Sequence, residues 1–217
     1  MPHVEILAKQ LGLSTRSSLR STVSDKTNWK KRHPLLGTDL ETELVPTYKS
    51  ATMRLAYVAL DRPDVAFISK ELCRAVSRPT VNAWEHLKHV TRYLLKAPRL
   101  QWVFVRQDPG SKLDGISDSD WAGCPVTRRS TSCSVMRYGR HTLQVAASTQ
   151  ATVALSSGEA EFYASVRTAC RTLGCAALAR DMGVQLTARL GTDSSAANGL
   201  ASRRGAGSVR HMATSAL

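Results

Sequence analysis

The sequence predicts an α/β protein: a mixed sheet with flanking helices, preceded by a small helical subdomain. Three observations lead there. Amphipathic helical stripes fill residues 48–95, short β-type runs separated by turn residues follow Arg99, and a long helical run then gives way to one more strand and helix. Strands first and helix–strand–helix after them make a mixed sheet with helices packed on it. The 217 residues suffice for one large domain or two small ones. Boundaries are expected at 1–46 (basic linker), 47–98 (helical segment) and 99–217 (α/β domain).

At the start, Val4, Ile6, Leu7 and Leu11 fit a short helix closed by Gly12. Residues 14–46 are polar and basic around Lys30-Lys31-Arg32, with Pro34 and Pro46 as breakers, and are expected to be a linker with little packed structure. Tyr48, Ala51, Leu55 and Val58 share a helical face until Asp61-Arg62-Pro63-Asp64 interrupts it. Asp64 is expected to cap a second helix through Val65, Ile68, Leu72 and Val76, ending at Pro79. Thr80 caps a third, with Trp84, Leu87, Thr91 and Leu94 on one stripe, ending before Pro98. Lys70, Arg74, Lys88, Arg92 and Lys96 should lie on exposed faces.

Beyond Arg99, Leu100–Arg106 (LQWVFVR) reads as a strand and Leu113–Ser117 as another ending at Asp118. Thr131–Arg137 and His141–Ala147 flank Tyr138-Gly139-Arg140, the turn of a hairpin. Thr149–Leu155 is either a fourth strand or a continuation of the one before it. The longest helical run covers Ser157–Met182 and stops at Gly183; Leu186–Thr192 is a strand stopping at Asp193, and Ser194–Ser202 is helical.

Composition narrows the function. The chain is 42% hydrophobic and 22% charged, values that allow a buried core and exclude wholesale disorder. Thirty Lys and Arg face seventeen Asp and Glu, a net charge of +13 that points to a polyanionic partner, nucleic acid before an anionic membrane. A membrane-surface role is set aside because no strongly amphipathic basic helix is present. Five cysteines with no C-x-x-C pair and no zinc spacing, and an N-terminus without an apolar leader, predict reduced thiols in an intracellular protein. No stretch approaches the roughly 18 apolar residues that a membrane span requires.

Against this basic background the acids stand out. From residue 111 onward there are seven: Asp114, Asp118, Asp120, Glu159, Glu161, Asp181 and Asp193. Asp118 and Asp193 sit at strand ends, and Glu159 and Glu161 in the first turns of a helix, where α/β folds collect functional groups. Converging carboxylates can hold Mg²⁺ against a phosphate backbone. Taken singly, the aspartates also fit as turn formers and the glutamates as partners of the helix dipole. Ser156-Ser157-Gly158-Glu159 fits a capping box in which Glu159 reaches back to the Ser156 amide. Glu161 has no such role, and Ser165 and Thr168 on its face could lie beside a substrate. Glu161 is therefore the better catalytic candidate.

Longer motifs carry a resemblance. Ser117-Asp-Ser-Asp-Trp-Ala-Gly123 followed by Thr127-Arg-Arg-Ser-Thr-Ser132, then Val153-Ala-Leu-Ser-Ser-Gly-Glu-Ala-Glu-Phe-Tyr-Ala164, Thr192-Asp-Ser-Ser-Ala-Ala197 and Val209-Arg-His-Met212 resemble copia-type ribonuclease H domains. Upstream, Tyr48-Lys-Ser50, Asp61-Arg-Pro-Asp-Val-Ala-Phe67 and Trp84–Leu95 resemble the segment joining reverse transcriptase to that domain in the copia-type retrotransposon Pol polyprotein. The resemblance covers nearly everything after residue 45, and residues 1–46 are then expected to be a basic linker or the end of reverse transcriptase. It implies a ribonuclease H-like fold and Mg²⁺ (or Mn²⁺) held by the catalytic carboxylates Asp118, Glu161 and Asp193. The implied activity is hydrolysis of the RNA strand of RNA–DNA hybrids by a two-metal mechanism.

It further implies Arg128 and Arg129 near the nucleic acid, the remainder of the Pol polyprotein as partner, and residence in a cytoplasmic particle or the nucleus. Asp120 is the weaker ligand, Trp121 and Phe162 are expected in the core, and His211 in packing or at the surface. The polymerase palm is not among these residues. Such domains carry a fourth carboxylate on a last helix after a last strand, and the chain stops at Leu217 before either. Cys124 and Ala213 stand where family members commonly have an acid. The expectation is accordingly of a domain impaired by truncation, the second reading being an inactive remnant that binds nucleic acid nonspecifically.

Overall fold

Apolar residues three and four apart build the first half of the chain. The computed structural model describes residues 2–13 and 26–202; residues 14–25 of the expected linker, and the Val209–Met212 string with His211, lie outside them. The chain falls into two units, Met1–Val103 with Cys124–Thr127, and Phe104–Gly123 with Arg128–Leu217.

In the first unit, α1 (Pro2–Gln10) turns Val4 and Leu7 inward and ends at Gly12, whose φ of +63° is the left-handed conformation glycine adopts freely. A short α2 (Lys26–Trp29) and a 3₁₀ turn (Thr42–Leu44) precede α3 (Val45–Val58), whose buried face is Tyr48, Ala51, Thr52, Leu55 and Val58. Pro46 lies in the first turn of α3, where its missing N–H costs nothing, and does not act as a breaker. α4 (Ala66–Arg74) and α5 (Val81–Lys96) complete the unit. The Thr80 hydroxyl accepts from Ala83 N at 3.0 Å as the expected cap. Together α1, α3, α4 and α5 enclose one apolar cluster.

The segment before α3 departs from the linker expectation. His33 and Leu40 are buried, Thr80 Oγ1 donates to the Pro34 carbonyl at 2.7 Å, and Leu40 N donates to Pro79 O at 2.9 Å. These ties are mostly hydrogen bonds, which a pattern of apolar residues does not reveal. Asp64 likewise does not cap a helix. It accepts both arms of the buried Arg62 guanidinium, at 2.9 and 2.7 Å, and the Tyr93 hydroxyl at 2.7 Å. Arg62 also donates to Ala97 O at 2.7 Å. Burial raises the Asp64 pKa, but the hydrogen bonds from Arg62 and Tyr93 outweigh it and hold the carboxyl below its usual range. The supposed helix breaker thus clamps the end of α5 to the start of α4.

Lys70 and Arg74 are also not on an exposed face. Both turn to the buried Glu71, Arg74 at 2.8 Å, and His33 Nε2 adds a third contact at 3.2 Å. His33 Nδ1 accepts Leu35 N at 3.1 Å, so the ring proton faces Glu71. Burial works to raise the Glu71 pKa, yet its partners, His33 and Lys70 foremost, bring it from 4.5 to about 2.

The second unit is mixed α/β. Strands β1 (Lys112–Asp120), β2 (Thr131–Tyr138), β3 (His141–Thr149) and β4 (Thr187–Gly191) form one sheet in the order β3-β2-β1-β4. The first three are antiparallel neighbours and β4 runs parallel to β1, reached through the long helix α6 (Ser157–Asp181). A last helix, α7 (Ser195–Ala201), packs on α6. Gly139 and Arg140 make the β2–β3 turn, with Gly139 at φ +56°. Two strand expectations fail. Leu100–Arg106 joins no strand among the described residues, and Val103 and Phe104 are exposed. β3 ends at Thr149, so residues 150–155 are neither a fourth strand nor a continuation.

Where α6 crosses β1, the contact is close and polar. Leu113, Gly115 and Ser117 alternate toward the helix. A Cβ at Gly115 would collide with Thr172 Oγ1 and stand 3.0 Å from Thr168 Cγ2. Ser117 and Ser165 share a 3.0 Å hydroxyl contact, and Arg171 donates to Ser134 Oγ at 2.7 Å. Gln150 Nε2 donates to Ser132 Oγ and to Ala160 O. The apolar cluster of this unit is small, Phe162 and Ala197 with Tyr163, Val166 and Leu200 around them. No helix among the described residues is long and apolar enough to cross a membrane.

Two outcomes follow from these contacts. Folding lowers the Glu71 pKa, so its stabilisation is complete above about pH 4.5 and is lost as pH falls toward 2. Amide exchange in α4 and α5 should report a loss of about 3 kcal/mol over that window, and Glu71→Gln should be unstable at neutral pH with a flattened acid dependence. Gly115→Ala should lower the stability of the second unit by about 1–3 kcal/mol in urea denaturation, because α6 must move outward.

Candidate metal centre

Parallel pairing brings β1 and β4 into step. Ile116 of β1 lies beside Gly191 of β4, so Asp118 and Asp193 are each two residues further on. β1 runs on to Asp120, so Asp118 lies within the strand opposite Cys133 and not at its end as expected, because pairing with β2 outlasts pairing with β4. The second turn of α6 adds Glu161. One carboxylate oxygen from each of Asp118, Glu161 and Asp193 lies within 4.8 Å of the others; the aspartates are exposed and Glu161 is half-buried.

The Glu161 side chain is held at one oxygen only. Ser119 donates to Oε1 through its backbone N–H at 3.0 Å and its hydroxyl at 2.7 Å. The second oxygen, Oε2, is buried and meets no hydrogen-bond donor among the described residues. A buried carboxylate oxygen without a partner is costly unless a cation or water fills the gap. Three carboxylates with such an oxygen make a hard-donor set suited to Mg²⁺ or Mn²⁺. Ser119 was not singled out in the sequence, since its role depends on where α6 places Glu161.

Glu159 is built into the fold instead. Ser156 Oγ accepts Glu159 N at 3.2 Å as the helix cap. The Glu159 carboxylate accepts from Leu155 N at 2.8 Å, one residue before the expected Ser156 amide, and from Tyr163 OH at 3.0 Å. At Asp193 the chain turns tightly: Thr192 Oγ1 accepts Ser194 N at 3.2 Å, and Ser194 Oγ caps α7 by accepting Ala197 N at 3.1 Å.

Other expectations are redistributed. Ser165 and Thr168 are buried between α6 and the sheet and do not line a substrate surface. The Asp120 carboxylate lies against the Gly123 α-carbon, in space that a side chain there would need. Trp121 is 48% exposed, not core, with its indole N–H on Ala154 O at 3.1 Å, while Phe162 is buried as expected. Arg128 and Arg129 are exposed on the β1–β2 loop. That loop holds two non-glycine residues with positive φ, Ala122 at +50° and Arg128 at +57°, and is cinched by Ala122 N donating to Ser130 Oγ at 3.0 Å. Backbone strain of this kind gathers where a side chain must be aimed.

No protein-family model matches the sequence, and no solved structure matches it. Among curated proteins, it is similar to the retrovirus-related Pol polyprotein from transposon RE2 of Arabidopsis thaliana, at 30% identity over 64% of the chain and 10% of that protein. An uncharacterized mitochondrial protein of the same plant is 33% identical over 62% of the chain and 56% of its own length. A secreted RxLR effector protein of Plasmopara viticola is 37% identical over 54% of the chain and 82% of its own length. The chain thus spans about half of the mitochondrial relative and a tenth of the polyprotein. Pol polyproteins from two further transposons, RE1 of Arabidopsis thaliana and TNT 1-94 of Nicotiana tabacum, are 29% and 31% identical over 64% and 56% of the chain, so its homologues are retrovirus-related Pol polyproteins of copia-type transposons.

Proposed function

We propose that the second unit is a ribonuclease H-like nuclease domain that hydrolyses the RNA strand of RNA–DNA hybrids, working as part of a larger Pol polyprotein. The observation that supports it most is the convergence of Asp118, Glu161 and Asp193, with Glu161 Oε2 buried and without a donor among the described residues. When bound, a pair of divalent cations supplies Lewis-acid stabilisation of the phosphate and a nucleophilic water. Asp118 and Asp193 hold metal from the exposed side. Glu161 gives its Oε2 because Ser119 occupies Oε1 and fixes the rotamer. Arg128 and Arg129 neutralise backbone phosphates beside the site, and the 2′ hydroxyls of the hybrid distinguish the RNA strand. In this reading, the helical unit is the segment that connects the domain to reverse transcriptase.

The experiment is cleavage of a labelled hybrid in Mg²⁺, alongside calorimetric Mg²⁺ binding. Glu161→Gln should abolish both while leaving the melting temperature unchanged or higher, since like-charge repulsion at the apo site falls. Ser119→Ala should weaken Mg²⁺ about 10–100-fold, as losing an outer-shell partner does. Glu159→Gln should keep Mg²⁺ binding, whereas Glu159→Ala should cost about 1–3 kcal/mol of stability by orphaning the Leu155 amide. Equal loss of metal binding in Glu159→Gln and Glu161→Gln would overturn the ligand assignment. Mg²⁺ binding without cleavage would identify a remnant that has kept its metal site and lost its activity.

Nucleic-acid binding should fall steeply with salt. Replacing Arg128 and Arg129 by Gln should lower the slope of log affinity against log salt by about 2. An unchanged slope would remove the two arginines from the interface.

A further inference from the structure

The first unit contains a cavity that the nuclease reading does not use. It measures about 100 Å³ and is lined by Arg32, Asn82, Glu85, His86, His89 and Arg92. Five of these recur every three or four residues along α5 and form one stripe, with Arg32 facing them from the loop after α2. The lining carries two guanidiniums, Arg32 and Arg92. Its one acid, Glu85, is already paired with Lys88 at 3.3 Å. Among the described residues the Arg32 and Arg92 guanidiniums have no carboxylate partner.

His86 is buried at the back of the cavity, and its Nε2–H donates to the Arg32 carbonyl at 2.7 Å. Burial makes its imidazole harder to protonate than usual, and the charges of His89, Arg32 and His33 add to that effect. The positive charge of the cavity therefore rests on the Arg32 and Arg92 guanidiniums, with Glu85 the one carboxylate in the lining. Guanidinium forks are the donors that recognise phosphate oxygens.

We propose that this cavity binds a phosphate group of a polynucleotide backbone, giving the helical unit a nucleic-acid contact of its own. The net charge of +13 favours a polyanion over an isolated anion as the source of that phosphate. A single phosphate at a cationic pocket fixes register and orientation without reading sequence.

The test uses the full chain without divalent cation, so that its outcome is independent of Asp118, Glu161 and Asp193. Inorganic phosphate is titrated while the imidazole resonances of His86 and His89 are followed by NMR. A short fluorescent oligodeoxynucleotide is titrated in parallel by anisotropy. The expected result is saturable movement of both imidazole signals, with phosphate and oligonucleotide each bound about tenfold or more weakly by the variant carrying R32Q and R92Q. Circular dichroism checks that the variant is folded, and R92Q alone serves if the pair is not. Unmoved imidazole signals, or equal phosphate affinity in wild type and a folded variant, would overturn the site. Loss of phosphate binding with oligonucleotide binding unchanged would overturn the polynucleotide assignment. So would a loss seen only on vesicles of anionic lipid.

Discussion

The candidate centre depends on how closely α6 lies on β1. Gly115 has no side chain where Thr168 and Thr172 cross it, and Ser117 meets Ser165 one residue pair further along. That approach lets Glu161, near the start of α6, reach the Ser119 amide and hydroxyl at the end of β1. A bulkier residue at Gly115 would lift the helix, and the carboxylate would lose both donors at once. Parallel pairing of β1 with β4 supplies the remaining constraint by carrying Asp193 level with Asp118. A helix–sheet spacing and a strand register thus decide whether three acids far apart in sequence converge.

The first unit is organised differently, around buried charge. Arg62 and Glu71 are almost fully enclosed, yet each is surrounded by partners: Asp64, Tyr93 and Ala97 for the one, His33, Lys70 and Arg74 for the other. Such groups are tolerated only where the hydrogen bonding is nearly complete, so they fix one arrangement of helices more strictly than apolar packing would. Arg62 joins α4 to α5. Glu71 draws in the loop that carries His33. The same loop continues to Arg32 and the cationic cavity, so the cavity wall is anchored from within.

The helices of this chain were legible in its periodicity. The Tyr48, Ala51, Leu55, Val58 stripe and the Thr80 cap sit where the pattern predicts, as does the long α6. The hairpin around Gly139 was equally readable from its turn residue. What periodicity misread was governed by polar contacts. The loop at 33–44 is packed through hydrogen bonds, Asp64 serves Arg62 instead of a helix end, and Ser165 and Thr168 look like a solvent stripe but are the seam beneath the sheet. Leu100–Arg106 has the composition of a strand without a neighbouring strand among the described residues to complete it. At the site, acid spacing and resemblance named Asp118, Glu161 and Asp193, which the fold brings together. Ser119 could not be found that way, because a serine beside an aspartate carries no signal until the helix opposite it is known.

The polar seam also bears on how the two units respond to temperature. Heat capacity of unfolding rises with apolar surface exposed and falls with polar surface. The helical unit hides a large cluster of aliphatic and aromatic side chains, whereas the second unit hides Ser117, Ser132, Ser134, Gln150, Ser165, Thr168 and Thr172 around a small apolar centre. The helical unit therefore has a strongly curved stability profile that weakens in the cold as well as on heating. The sheet unit has a flatter one, since its enthalpy changes little with temperature and its directional hydrogen bonds persist on cooling. The residues that hold the carboxylates in place thus belong to the part of the chain whose stability is less sensitive to cold.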